Sequence, residues 1–308
     1  MALHIRPIIP SRLLGHGSYK GSPRSIIGAY IALMKLRVVE LLLVTTVPTM
    51  VLAADGWPSF TLIVVTLAGG TLAAGGANAI NMYIDRDIDK LMTRTQNRPL
   101  VTGVISPRAA MIFAVALECI AFVVLWVGAN LLAAVLAISA TLFYVFVYSL
   151  WLKRTSKQNI VIGGAAGAMP VLVGWAAVTN SLAWAPVVLF IVIFLWTPPH
   201  FWALAIRHSD DYKAAGVPMM PVVVSLERTV RSMTTYAVLL LVSTLVLIPV
   251  AEVGLIYGIT AVVFGVAFVI GCVNLGSDPS ELRSMRLFTF SISYVTALFV
   301  ALTIDVLL

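Results

Sequence analysis

Nine stretches of mostly apolar residues, each about 20 long and so able to cross a lipid bilayer, recur along the chain at 27–54, 60–82, 107–127, 130–150, 159–178, 185–206, 233–251, 254–274 and 286–306. A chain with this many apolar runs cannot close around one water-soluble core. In lipid, every backbone N–H and C=O must be paired inside the protein, which leaves helices or closed barrels, and runs of this length suit helices. Composition agrees: 60% of the 308 residues are hydrophobic, 11% are charged, and the mean hydropathy is +1.02. Soluble domains do not look like this. The expected fold is an all-α polytopic membrane protein, a bundle of nine transmembrane helices forming one domain over 27–308 behind a basic tail, 1–26. The first run is long and carries Lys35 and Arg37 near its start, so it should tilt or begin at the interface.

Charge sets the orientation. All 20 Lys and Arg residues fall in the N-terminal region up to Arg37 or in the loops after the second, fourth, sixth and eighth runs. The intervening loops, near Asp55–Ser59, Gly128–Asn130, Thr179–Trp184 and Glu252–Gly254, contain none. The positive-inside rule then places the N-terminus and the basic loops in the cytoplasm and the C-terminus outside. The net charge of +7 thus reads as membrane topology and not as nucleic-acid binding. The tail has no acid and no long apolar core, which excludes a secretory signal. It reads as a cytoplasmic extension, with an organellar transit peptide the less simple choice. The expected setting is a bacterial inner (plasma) membrane, with the mitochondrial inner membrane as the alternative. Cys119 and Cys272 both lie in apolar runs and read as small core residues.

The stretch with the most chemistry is Asn81-Met-Tyr-Ile-Asp85-Arg-Asp-Ile-Asp89-Lys, at the inner end of the second run. Four helical residues advance the azimuth by about 40° beyond a full turn. Asn81, Asp85 and Asp89 therefore share one face, and Asp87 points elsewhere. Such oxygen ligands suit Mg²⁺, which keeps waters and shares its remaining positions with substrate phosphates. Lys90, Arg94 and Arg98 follow at once. Carboxylates beside guanidinium groups suit a metal-bridged diphosphate, and ionisable groups at membrane depth are functional by default.

A second charged cluster, Arg207-His-Ser-Asp210-Asp211-Tyr212-Lys213, ends the sixth run four helices later. This spacing hints at a duplicated unit with both clusters facing one cavity. Within the sixth run, Pro198-Pro199 should kink the helix and free carbonyls, with His200 just beyond. Gly69, Gly70, Gly75 and Gly76, and Gly163 and Gly164, read as close helix packing, the last two also as room for a bulky ligand. Glu40 and Glu118 lie inside runs and should face the bundle interior, pair with a base or stay protonated. Lys153, Arg154 and Lys157 sit in the loop after the fourth run.

These residues resemble a family. The run Asn81…Asp85…Asp89 followed by Arg94-Thr-Gln-Asn-Arg98-Pro-Leu is similar to the first motif of the membrane-embedded aromatic prenyltransferases, and Tyr148 through Lys153 to their next. Within them the chain resembles the protohaem IX farnesyltransferases, also called haem O synthases. That narrower likeness rests on Asp85-Arg-Asp-Ile-Asp89, on Asn159 through Gly163-Gly164 to Pro170 and Trp175, and on Thr197-Pro-Pro-His200-Phe-Trp with Asp211-Tyr-Lys. It covers about residues 27 to 308.

The resemblance implies a nine-helix bundle around a central cavity open to the cytoplasmic side, with an entrance from lipid. It implies transfer of a farnesyl group from farnesyl diphosphate, with Mg²⁺ on the diphosphate, to a vinyl carbon of haem B, with water completing a hydroxyethylfarnesyl group. The family further implies handover of the product to a haem A synthase. Taken together, the candidate catalytic residues are Asn81, Asp85, Asp89 and Lys153. The candidate metal ligands are Asn81, Asp85, Asp89 and Asp211. The candidate substrate-binding residues are Arg94, Arg98, Arg154, His200, Arg207, Asp211, Tyr212 and Lys213. One departure stands out. Where the superfamily carries a second Asp-x3-Asp motif, the residues four beyond Asp210 and Asp211 are Ala214 and Ala215, so a second metal site is in doubt. A transporter would need charged residues along a path to both faces. Here the outer loops hold only Asp55 and Glu252, which favours an enzyme open on one side. Within enzymes, prenylation of another aromatic acceptor, such as a quinone precursor, is the second reading.

Overall fold

A computed structural model describes residues 23–277 and 280–308, without the side chains of 23–25 and 37–43. The basic tail through residue 22 and the Arg37 and Glu40 side chains lie outside the described residues. The described residues form helices joined by short turns: α1 (Pro23–Met34), α2 (Leu36–Ala54), α3 (Phe60–Ile84), α4 (Pro107–Gly128), α5 (Leu131–Thr155), α6 (Asn159–Thr179), α7 (Trp184–Arg207), α8 (Ser209–Ala214), α9 (Leu226–Ala251), α10 (Leu255–Ser277) and α11 (Glu281–Leu307). Eight of these, α3 to α7 and α9 to α11, are long and apolar enough to cross a membrane. In α2 the apolar stretch Val44–Ala54 is shorter. The chain is an all-helical, multi-pass membrane protein.

Short connections make sequential helices neighbours. The packing runs α2–α3–α4–α5–α6–α7–α9–α10–α11 and closes where α11 meets α2, with α6 also against α2 and α11 against α7. Ser59, Ser106, Ser225 and Ser280 each cap a helix start by accepting from an N–H three residues on, as an N-cap should. Outward faces carry Ile112, Val123, Val127, Val263 and Ile270, apolar toward lipid, so helix association rests on close packing. Gly76 shows how close: a Cβ there would sit 3.0 Å from the Ala114 carbonyl oxygen and 2.6 Å from Glu118 Oε1. Only a residue without a side chain lets α3 and α4 approach so nearly. Glu118 faces that interior contact, accepting from Thr141 Oγ1 at 3.2 Å.

Two expectations change. The first apolar run is not one helix. It breaks at Lys35, whose backbone is left-handed (φ 52°, ψ 53°). The fourth run does not end at residue 150. It continues to Thr155, through a π-helical segment from Phe143 to Leu152. Helix α7 runs through Pro198 and Pro199 to Arg207.

Candidate active site

Helix α3 stops at Ile84, and Asp85 is its C-cap. The expected helical ladder therefore ends one residue before its first carboxylate. The chain still turns once more, because Asp89, within the 3₁₀ turn Ile88–Lys90, donates its N–H to the Asp85 carbonyl at 2.8 Å. This keeps the four-residue spacing, and Asn81, Asp85 and Asp89 are all buried. Burying carboxylates is expensive unless each finds a cation, and the cations come from three separate segments. Lys153 Nζ donates to Asp85 Oδ2. Arg98 Nη1 lies 2.6 Å from Asp89 Oδ2. Lys35 Nζ donates to Asn81 Oδ1 at 2.9 Å. Asn81 Nδ2 donates to Asp85 Oδ2 and to Ser149 Oγ, both at 2.9 Å.

Local structure explains how each cation arrives. The π-helical turns of α5 let Ser149 Oγ donate to the Tyr144 carbonyl five residues back, at 2.9 Å. They bring Ser149 and Lys153 onto the face turned to α3. Such wide turns recur at functional sites. The break at Lys35 is pinned by Asn78, whose Nδ2 donates to the Met34 carbonyl at 3.0 Å. A left-handed backbone costs an ordinary residue about 1–2 kcal/mol, and here it turns an amine into the cluster. Asp87 points away as expected and is exposed, but it is not idle: both its oxygens accept from Arg154. That hydrogen bonding holds its carboxyl far below the usual carboxylate range.

The loop after α3 and the segment after α7 meet over this cluster. Asp211 Oδ1 and Oδ2 accept from the backbone N–H groups of Thr93 and Arg94 at 3.1 and 3.3 Å. Burial works against ionisation of Asp211, but these two donors together with the Thr93 side chain and the nearby His208 keep its pKa below the usual value. Arg94 Nη2 reaches the Tyr212 hydroxyl at 3.4 Å. Burial raises the pKa of that phenol, which stays protonated. On the other side of the cluster, a cavity of about 170 Å³ opens between α2, α3, α5 and α6, with Asn78 and Tyr144 at its polar end and Ala73, Gly70, Ala137 and Val173 among its walls. It follows α3 from Asn78 to Thr66, a rise of about 18 Å over twelve residues.

Mg²⁺ fits this donor set. Asp85 Oδ1 is buried and has no hydrogen-bond partner, with Arg154 Nη2 3.9 Å away. An anionic oxygen left free in a buried site is what a hard cation takes. Among the described residues no group of three His, Cys, Asp or Glu side chains forms a metal cage. The remaining positions would thus fall to water and a phosphate ligand, as Mg²⁺ prefers.

The model of the UbiA prenyltransferase family matches residues 42–295. The chain belongs to the UbiA prenyltransferase family. A relative named Protoheme IX farnesyltransferase, from Parafrankia sp. (strain EAN1pec), is 54% identical over 283 residues, 91% of this chain and 90% of its own length. Solved structures share the fold at low identity. A structure concerned with digeranylgeranylglyceryl phosphate synthase matches with a TM-score of 0.76 at 17% identity, over 92% of this chain and 99% of that one. A UbiA homologue from Archaeoglobus fulgidus bound to DMAPP and Mg²⁺ matches at 0.66 and 20%, over 90% and 98%.

In this prenyltransferase the sequence-derived candidates separate into three groups. Asn81, Asp85, Asp89, Arg98, Lys153 and Arg154 converge. Arg94, Asp211 and Tyr212 form the bridge above them. Three others lie apart. Arg207 pairs with Glu281 at 2.8 Å in an exposed salt bridge. Lys213 is exposed. His200 is buried against α11, its Nδ1 2.6 Å from Ser291 Oγ and its ring stacked between Trp196 and Phe288 at 4.1 and 4.5 Å. That is the surrounding of a packed, satisfied histidine. Gly163 admits the Tyr148 ring, into which a Cβ would run, so the packing reading accounts for it. Lys35 and Ser149 are the site residues that sequence reasoning missed. A lysine within an apolar run was the signal for the first, and nothing local marked the second.

Proposed function

We propose that the chain is a protohaem IX farnesyltransferase. It transfers the farnesyl group of farnesyl diphosphate to a vinyl group of haem B, giving the hydroxyethylfarnesyl haem called haem O, and diphosphate. The observation that carries this reading is the placement of a buried Asn–Asp–Asp set, ringed by Lys35, Arg98, Lys153 and Arg154, at the mouth of an apolar cavity. Asn81, Asp85 and Asp89 would hold Mg²⁺, which when bound takes negative charge off the leaving diphosphate. Arg98 and Lys153 are largely withdrawn from bulk water, where their charges are less screened, and Arg154 stands at the exposed rim. Alanine, glycine and valine walls receive the isoprenoid tail and keep water from quenching the allylic cation. In this reading Asp211 braces the loop that carries Arg94 and is not a second metal ligand. Arg94, held by Tyr212, faces the acceptor's side, where haem propionates require a cation. The relative at 54% identity supports haem as acceptor. We further infer nine crossings, α2 being the first, with a cytoplasmic N-terminus and a cavity open to the cytoplasm. The setting is a bacterial plasma membrane, where a haem A synthase would take up the product.

The test uses purified protein with haem B, farnesyl diphosphate and Mg²⁺. The expected result is a more apolar haem by chromatography, with the mass of haem O. Prenylation of 4-hydroxybenzoate with haem left unchanged would replace this reading with the quinone-precursor one.

A further inference from the structure

Aromatic prenyl transfer ends when the acceptor loses a proton. Farnesylation of a vinyl group ends differently, with a water added to carbon. A site that excludes water before the first bond forms must therefore hold one water for the last step, and one buried residue in this fold is suited to that. Asn159, the first residue of α6, is 0% exposed. Neither its Oδ1 nor its Nδ2 has a hydrogen-bond partner. Both halves of a carboxamide buried unpaired are rare, because each keeps its full desolvation cost. Its position relates it to the reaction. On α6, Asn159 is within about 40° of Gly163, Ala166 and Pro170, and Ala166 and Pro170 line the apolar cavity. Gly163 packs on Tyr148, which stacks on Tyr144 at the cavity's polar end. Six residues upstream is Lys153, which holds Asp85. Asn159 thus continues the cavity-facing stripe of α6 at the end where the charged cluster lies.

We infer that Asn159 holds the water that ends the reaction, an inference that rests on the proposed function. A carboxamide offers that water one acceptor and one donor, the pairing a single buried water takes up. The farnesyl C1–O bond breaks and diphosphate leaves. C1 bonds to the terminal vinyl carbon, and the positive charge moves to the vinyl carbon attached to the ring. The water's oxygen lone pair bonds to that carbon, and the extra proton passes to diphosphate or solvent. Without a held water, the same cation loses a proton from the neighbouring CH₂, and the product is an alkene lighter by one water. Asn159 is in this account a positioning residue, acting through the water it orients.

Mass spectrometry of the haem products from full-length protein in nanodiscs, with haem B, farnesyl diphosphate and Mg²⁺, decides the matter. Asn159→Leu keeps the size and removes both polar groups. The alkene share should rise about tenfold over wild type, the change that losing one hydrogen bond's preference brings. Asn159→Ser, which can still hold water, should give a smaller rise. An unchanged alkene share in Asn159→Leu overturns the inference and leaves Asn159 with a structural water only. So does a folded Asn159→Leu protein that yields neither product, because the residue would then act before the cation is quenched. If wild-type protein farnesylates no haem, the proposed function itself fails, which is a separate outcome.

Discussion

Arg154 grips Asp87 with both terminal nitrogens, Nη1 to Oδ2 and Nη2 to Oδ1, each at 2.7 Å, while Nη2 also donates to the Ile84 carbonyl at 3.0 Å. One arginine thus ties the exposed carboxylate to the last turn of α3 and stands 3.9 Å from buried Asp85 Oδ1. Asp87 acts on the cluster through Arg154 and not on a ligand. Asp85→Asn and Asp89→Asn should each lower turnover by ~10²-fold or more, as removing one electrostatic stabiliser does. Asp87→Asn should cost about tenfold or less, because it weakens a bidentate pair without removing a buried charge. Initial rates at matched protein levels in membranes give the comparison. Equal losses for the three variants would show that this turn does not carry the metal.

Lys35 donates to Asn81 from a left-handed backbone. Lys35→Met should raise the KM for farnesyl diphosphate about tenfold with little change in kcat, the result of removing one charge-assisted contact to a bound anion. Lys35→Gly loses the same amine but relieves the backbone, by about 1 kcal/mol. It should show the same KM and a higher Tm than Lys35→Met. An unchanged KM in both would confine Lys35 to a structural bond with Asn81.

His208 lies between α7 and α8. Burial lowers its pKa first, and Arg94 and Arg207 lower it further, against Asp211 and Glu281. A histidine with a depressed folded pKa contributes stability above its unfolded value of about 6.5, and that contribution is lost as pH falls below it. Tm should therefore drop between about pH 7 and pH 5, and His208→Gln should flatten that part of the profile. A profile identical to wild type would place the acid sensitivity elsewhere.

Reporter fusions after Lys157 and at Leu308 should fall on opposite sides of the membrane, since all 20 basic residues segregate to one set of loops. Both reporters on one side would mean an even number of crossings between them and would remove one of α6, α7, α9, α10 and α11 from the count of spans.

Gly163 and His200 show where linear reading stopped. Their residue types allowed either packing or a pocket, and only the partners decide. Tyr148 fills the space at Gly163, and Trp196, Phe288 and Ser291 enclose His200. Those partners are up to 91 residues away, at separations no local pattern encodes.

What the sequence determined by itself was whatever depends on counting along the chain. Apolar runs set the helices, because the bilayer imposes one length on all of them. The segregation of Lys and Arg pointed to an orientation. The four-residue spacing of Asn81, Asp85 and Asp89 placed three oxygens on one side of a turn, and that survived although α3 ends at Ile84, because one more helical hydrogen bond closes at Asp89. Only the tertiary structure decided which cation meets which carboxylate. Lys153 reaches Asp85 because α5 is wound more widely than an α-helix there. Lys35 enters because a helix breaks at a residue that sequence rules would keep helical. Arg207 leaves for Glu281. A buried charge is stable only beside its counter-charge, and the candidates for that role, 20 basic residues spread over the chain, are told apart only by where the folded backbone brings them.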